Sequence, residues 1–172
     1  MTKHTPQDLF NLLDQLDIKH STIDHPPLFT VKDGLEWHNK IPGMHCKNLF
    51  MKDKKKKLWL IVMPGDKRAH ISKLEREIGS ARLSFGKPEL LEEVLGITPG
   101  HVTPFALLND ISRQVTVVLD QDMMKAPMVN FHPLHNQAST TLKSEDLLRF
   151  IKHLSYNPYF VDCGQWTENE TK

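Results

Sequence analysis

Three short segments of this chain hold side chains whose types and spacing could do chemistry: Lys47-Asn48-Leu49-Phe50, the stretch from Gly96 to Phe105, and Asn130-Phe131-His132-Pro133-Leu134-His135-Asn136. Lys47 is a flexible ammonium able to stabilise negative charge. His132 precedes a proline, which confines its backbone to extended conformations and fixes the direction of its ring. An imidazole held that way, neutral near pH 7, suits positioning a water or accepting a proton. The segment Gly96-Ile97-Thr98-Pro99-Gly100-His101-Val102-Thr103-Pro104-Phe105 carries two prolines and two glycines in ten residues. Proline locks φ and removes an N–H, while glycine permits positive φ and close approach, so a rigid turn with outward amides is expected.

Other chemistries are poorly served. There is no G-x-S-x-G elbow and no Ser/His/Asp set. Cys46 is the one possible nucleophile, next to Lys47 but without an identifiable partner base. His132 and His135 have H-x-x-H spacing, which invites a metal, yet no carboxylate or thiol stands near them and the segment does not read as helix. Lys52 and Lys54-Lys55-Lys56-Lys57 make a cationic run that is a solvated turn on the plain reading and a phosphate contact on the functional one.

Several elements must position these groups. Thr5, Pro6 and Asp8 read as N-cap, first-turn proline and first-turn acid of a helix with Leu9, Leu12, Leu13 and Leu16 on its core face. Ser21 to Asp24 reads as a short strand leading into His25-Pro26-Pro27, after which Thr30, with Asp33 three residues on, can cap a second helix. Asn48 to Met51 and Leu58 to Met63 form a hairpin with the lysines at its tip, and the second strand, apolar on both faces, lies inside. Ser72 with Glu75 reads as a capping box, and Pro88 to Leu95 as a helix closed by Gly96. Pro104 to Leu108 suits one helical turn, Val115 to Leu119 a central strand, and Met128 to Phe131 its neighbour. Ser144 is expected to cap a last helix with Leu147, Leu148, Ile151 and Leu154 inward. Helices and strands mingle without strict β-α-β alternation, which predicts an α+β fold with a mixed, curved central sheet flanked by helices.

The whole chain bounds these readings. Its 172 residues suit a single domain over 1–166 with a polar tail at 167–172. Two cysteines, neither in a C-x-x-C pair, offer no disulfide framework, which fits a reducing cytosol. The longest apolar run, Leu58 to Met63, is too short to span a bilayer, so a cytoplasmic protein without membrane partners is expected.

Together with His25-Pro26-Pro27-Leu28-Phe29-Thr30-Val31, the three segments resemble the YbaK/prolyl-tRNA-synthetase-associated editing-domain family, in order from about His25 to about Leu154. The likeness is greatest to its free-standing alanyl-tRNA(Pro) deacylase branch. The resemblance implies the same α+β architecture and a hydrolase that removes alanine wrongly attached to proline tRNA, without cofactor or metal. It implies Lys47 and His132 as the central residues. Asn48 would support the adenosine or its ribose, Asn136 would bind the substrate, and Gly100, His101, Val102, Thr103 and Pro104 would offer backbone groups to the aminoacyl end and the attacking water. Phe29, Thr30 and Val31 would wall a pocket that admits a methyl group and excludes the proline ring. Lys52, Lys54, Lys55, Lys56 and Lys57 would contact tRNA phosphates.

The partner implied is mischarged tRNA, met at its acceptor stem and 3′-terminal adenosine, and not DNA. Docking on prolyl-tRNA synthetase or an elongation factor stays open. Ala106 stands where the family commonly has glycine, and His135 and Gln137 where it has small or apolar residues, which bears on the fine shape of the pocket. Cysteinyl or another small aminoacyl ester, a tRNA-binding module without catalysis, and a metal-dependent hydrolase are the alternative readings.

Overall fold

The computed structural model describes residues 3–27 and 31–167, with the backbone alone for residues 31–33 and 38. The opening helix α1 (Pro6–Gln15) forms as its sequence dictates. Thr5 Oγ1 accepts the Asp8 amide at 3.1 Å and the Asp8 carboxylate accepts the Thr5 amide at 2.9 Å, satisfying two donors of the first turn. Leu9 and Leu13 are fully buried, and Leu12 and Leu16 pack at the margin.

The chain continues through β1 (His20–Asp24), α2 (Val31–His38), β2 (Met44–Asp53), β3 (Leu58–Pro64), β4 (Lys67–Ala69), α3 (Ile71–Ile78), β5 (Leu83–Phe85) and α4 (Pro88–Leu95). A 3-10 helix (Pro104–Asn109) follows, then β6 (Val115–Asp120), α5 (Gln121–Lys125), β7 (Met128–Phe131), β8 (Ala138–Lys143), α6 (Ser144–His153), β9 (Tyr159–Val161) and β10 (Gly164–Trp166). One mixed sheet runs β1-β8-β7-β2-β3-β6-β9, with β5 also paired to β2, and β4 pairs with β10 in a separate ribbon. This is the α+β architecture expected of the sequence.

Alternation along the strands divides the core. Phe50, Leu60, Val62, Val117, Val129, Phe131 and Leu142 face a cluster closed by α1, α4, α6 and the 3-10 helix. Met51, Trp59, Ile61, Met63 and Val118 face the other way, against Leu74 and Ile78 of α3. Every residue of β3 is buried, which is why it reads as a continuous apolar run.

Three local expectations are corrected. Helix α3 is capped by His70, whose Nδ1 accepts the Lys73 amide at 3.1 Å, and Ser72 lies inside the helix. Glu75 is drawn away from a capping box because its carboxylate accepts the Leu83 amide at 2.7 Å. Met128 to Phe131 is no neighbour of Val115 to Leu119: β6 is filled on its two sides by β3 and β9, whereas β7 lies between β8 and β2. Lys143, not Ser144, is the N-cap of α6, since the Ser144 hydroxyl donates across to the Ala126 carbonyl.

Candidate functional site

The pleat of β2 decides which side chains can meet. Strands β2 and β7 run parallel with Met44 opposite Val129 and His45 opposite Asn130. Met44 and Cys46 pack with the larger cluster, so His45 and Lys47 leave from the other face. That face carries Met63, the cross-strand partner of Lys47, under α3 on one side. On the other it carries Asn130 and Thr141, which both donate to the Pro42 carbonyl at 3.0 Å. Lys47 therefore rises between the part of the sheet covered by α3 and the part that leads to His132.

Lys47 is half-buried, and among the described residues it has neither a hydrogen bond nor an ion pair. Burial, reinforced by the Arg68 guanidinium and opposed by Asp66, holds its pKa below the ordinary lysine value. Both neighbours flank Lys67, which is buried to 1% exposure and fixes β4 from beneath. Its ammonium meets Asp120 at 2.9 Å, Asp122 at 2.8 Å and Asp162 at 2.7 Å. Burial disfavours that charge, but the three carboxylates outweigh it and raise the pKa. Among the described residues the motif lysine is thus without an ion pair while a second lysine is fully paired.

His132 follows directly on β7. Its Nδ1 lies 2.9 Å from the Ala138 carbonyl, and a carbonyl can only accept, so Nδ1 carries the proton and Nε2 presents its lone pair. Burial lowers its pKa, the Ala138 hydrogen bond works against that, and the nearby His25, His101 and His135 rings lower it further, which favours the neutral ring at pH 7. The His25 ring lies 6.0 Å away and is itself fixed: Nδ1 donates to the Pro26 carbonyl at 2.8 Å and Nε2 accepts from the Ser139 hydroxyl at 2.9 Å. Trp37 of α2 stands 5.6 Å from His25. Neither Ser139 nor Trp37 carries a chemical signal in the sequence; for His25 the pattern His25-Pro26-Pro27 is the available one.

The Pro/Gly loop forms a hydrogen-bonded turn. Thr98 to His101 closes with the His101 amide on the Thr98 carbonyl at 3.0 Å, and Gly100 at φ 89° occupies the third position of this type II turn. A Cβ on Gly100 would meet nothing within 4 Å, so the backbone angle and not space requires glycine. Thr103 is fully buried and caps the 3-10 helix through the Phe105 amide, while Phe105 stands edge-on to Phe131 at 5.9 Å and to Phe150 at 5.5 Å. Pro104 is buried, His101 and Val102 are half-buried, and His101 lies near enough for its charge to act on His132.

The remaining expected residues fall elsewhere. Asn48 points to the face opposite Lys47, and among the described residues its buried Oδ1 has no hydrogen bond. Asn136 is buried in the turn after His132. Phe29 and Thr30 lie outside the described residues, as does the side chain of Val31. Cys46 packs on the core side with its thiol pushed far up by burial and by Asp120. Among the described residues no three His, Cys, Asp or Glu side chains converge as metal ligands, and no helix is long and apolar enough to cross a membrane.

The lysine tip is built, not loose. Asp53 Oδ1 accepts the amides of Lys55 at 2.9 Å and Lys57 at 3.0 Å, and Oδ2 accepts the Trp59 indole at 3.2 Å and the Ala81 amide at 3.3 Å. Burial raises the Asp53 pKa, but these donors outweigh it and hold the carboxyl below its ordinary value. Lys56 adopts φ 67°, a left-handed conformation that the turn imposes.

The mixed sheet flanked by helices, with Lys47 and Asn130 leaving by one face and His132 following on β7, has the architecture of an aminoacyl-tRNA editing domain, and the comparisons with known proteins agree. Residues 25–150 match the aminoacyl-tRNA editing domain family, and this chain belongs to it. It is 34% identical over 157 residues to prolyl-tRNA synthetase associated domain-containing protein 1 of Danio rerio, covering 90% of this chain and 85% of the relative. To the prolyl-tRNA editing protein ProX of Acetoanaerobium sticklandii it is 33% identical over 153 residues, covering 88% of this chain and 93% of the relative. A solved structure described as a candidate trans-editing enzyme for prolyl tRNA synthetase shares the fold with a TM-score of 0.70 at 18% identity, covering 96% of this chain and 99% of that one.

Proposed function

We propose that this protein is a trans-acting deacylase that hydrolyses the ester of mischarged alanyl-tRNA(Pro). The observation that carries the reading is the half-buried ammonium of Lys47, without an ion pair among the described residues, on the sheet face that leads to His132. An aminoacyl ester is already activated, so the site need only hold it, direct a water and relieve the developing oxyanion. His132 Nε2 accepts a proton from the water as its oxygen bonds the carbonyl carbon. Lys47 and the Gly100 and Val102 amides of the turn stabilise the tetrahedral oxyanion. Collapse breaks the bond to the ribose oxygen, which recovers the proton and leaves free alanine and tRNA.

Asn136 contacts the substrate, Phe29, Thr30 and Val31 set the pocket size, and Lys52 and Lys54 to Lys57 meet phosphates of the acceptor stem; Asn48, turned to the opposite face, backs the strand that carries Lys47 and does not touch the adenosine. The work is cytoplasmic and needs no metal. Single-turnover hydrolysis of alanyl-, cysteinyl- and prolyl-tRNA(Pro) tests this. We expect rapid loss of alanine, sparing of proline, and no hydrolysis by a folded Lys47→Ala protein. Full activity of Lys47→Ala, or equal cleavage of the prolyl ester, refutes it.

A further inference from the structure

The rigid lysine turn adjoins a groove of about 530 Å³ between the β2–β5 ribbon and α4, lined by Lys52, Lys54, Lys56, Phe85, Lys87 and Leu90 among others. Phe85 is 69% exposed, in a strand that places it opposite Met51. A single exposed aromatic is ordinary. One ringed by cations is not. Glu89 and Glu93 line the same groove, yet none of Lys52, Lys54, Lys56 and Lys87 forms an ion pair among the described residues. The cations stay available although carboxylates are at hand, and the turn that carries Lys54 and Lys56 is closed by Asp53, whose side chain accepts the Lys55 and Lys57 amides and whose backbone carbonyl accepts the Lys56 amide. Lysines around an exposed aromatic face are the combination that binds phosphate and stacks an unpaired base.

We propose that this groove is a second RNA subsite, in which Lys52, Lys54, Lys56 and Lys87 hold backbone phosphates and Phe85 stacks an unpaired nucleotide. It rests on the deacylase reading for its substrate and adds Phe85 and Lys87 to it. From Lys47 to Met51 is four residues of strand, roughly 14 Å at about 3.4 Å per residue, and the lysine tip lies farther still. A tRNA anchored at Lys47 reaches the groove; an aminoacyl ester of adenosine alone does not. The two substrates therefore separate the subsite from the chemistry.

The test is single-turnover deacylation by wild type, Phe85→Ala and Lys87→Ala. With alanyl-tRNA we expect the half-saturating enzyme concentration to rise about tenfold for Phe85→Ala with the maximal rate unchanged, and the salt dependence to flatten for Lys87→Ala. With alanyl-adenosine neither variant should differ from wild type. Phe85→Trp should keep the affinity and lose fluorescence when uncharged tRNA binds. An unchanged half-saturation for Phe85→Ala, equal effects on both substrates, or the absence of quenching when the Phe85→Trp protein is titrated with tRNA overturns the subsite; the first of these, with intact binding to an acidic protein, would make the groove a protein contact instead. Should wild type hydrolyse neither substrate, the deacylase reading falls, while the tRNA titrations still judge the groove.

Discussion

Replacing Lys67 by methionine removes the cation that three carboxylates share while keeping the bulk of the side chain. Asp122 and Asp162 are partly exposed and can rehydrate, but Asp120 is fully buried. Asp120 keeps the Asp122 and Met123 amides on Oδ1 and the Cys163 amide on Oδ2, so it loses its ion pair but not its hydrogen bonds. Stranding a buried charge costs about 3–5 kcal/mol, and the three surviving hydrogen bonds put Lys67→Met at about 3 kcal/mol. For a chain of this length that lowers Tm by about 6–12 °C. Thermal unfolding followed by circular dichroism at pH 7 reads the shift. The acid limb supplies a second check. The Lys67 hydrogen bond lowers Asp162 from 3.8 to about 2 and also lowers Asp122, so their stabilisation is whole above the unfolded value and is lost as pH falls through the folded one. The gap in Tm between wild type and Lys67→Met should therefore narrow between about pH 4 and pH 2. A drop under about 2 °C at pH 7, or a gap that is constant with pH, refutes the argument that this network holds β4 in place.

Two further outcomes concern the site. Because burial and neighbouring histidines lower the His132 pKa, deacylation should rise with pH along a limb below the ordinary histidine value of 6.5 and be level at neutrality; a limb at or above that value counts against His132 as the base. Arg68→Ala removes a charge that helps to depress Lys47, so Lys47 should keep its proton to higher pH and the alkaline fall in rate should move upward, less so in high salt; no movement would dissociate Arg68 from the site.

Elements whose signals are local are readable in the sequence. The Thr5 and Asp8 box, the Gly96 cap at φ 67° and the apolar run of β3 each depend on neighbours within a few residues. Strand β8 is invisible there because Ala138, Ser139, Thr140 and Thr141 are buried without being strongly apolar; Thr140 is satisfied by Thr22, 118 residues away in sequence. The ribbon of β4 and β10 hides for the same reason, since Lys67 reads as a surface residue until partners 53 and 95 residues off are brought to it. At the site, Lys47 and His132 are legible only as parts of motifs. Their common sheet face follows from the parallel register of β2 and β7, and the tautomer of His132 from a carbonyl six residues on.

The two-residue period of β2 has an outcome for how this protein can change. Cys46 and Asn48 turn toward hydrocarbon while His45 and Lys47 turn to the opposite face, all within four consecutive positions. Deleting or inserting a single codon there would drive a charged amine into the aliphatic interior and swing an amide or a thiol into its vacancy. The stretch from His45 to Asn48 therefore tolerates replacement only in place.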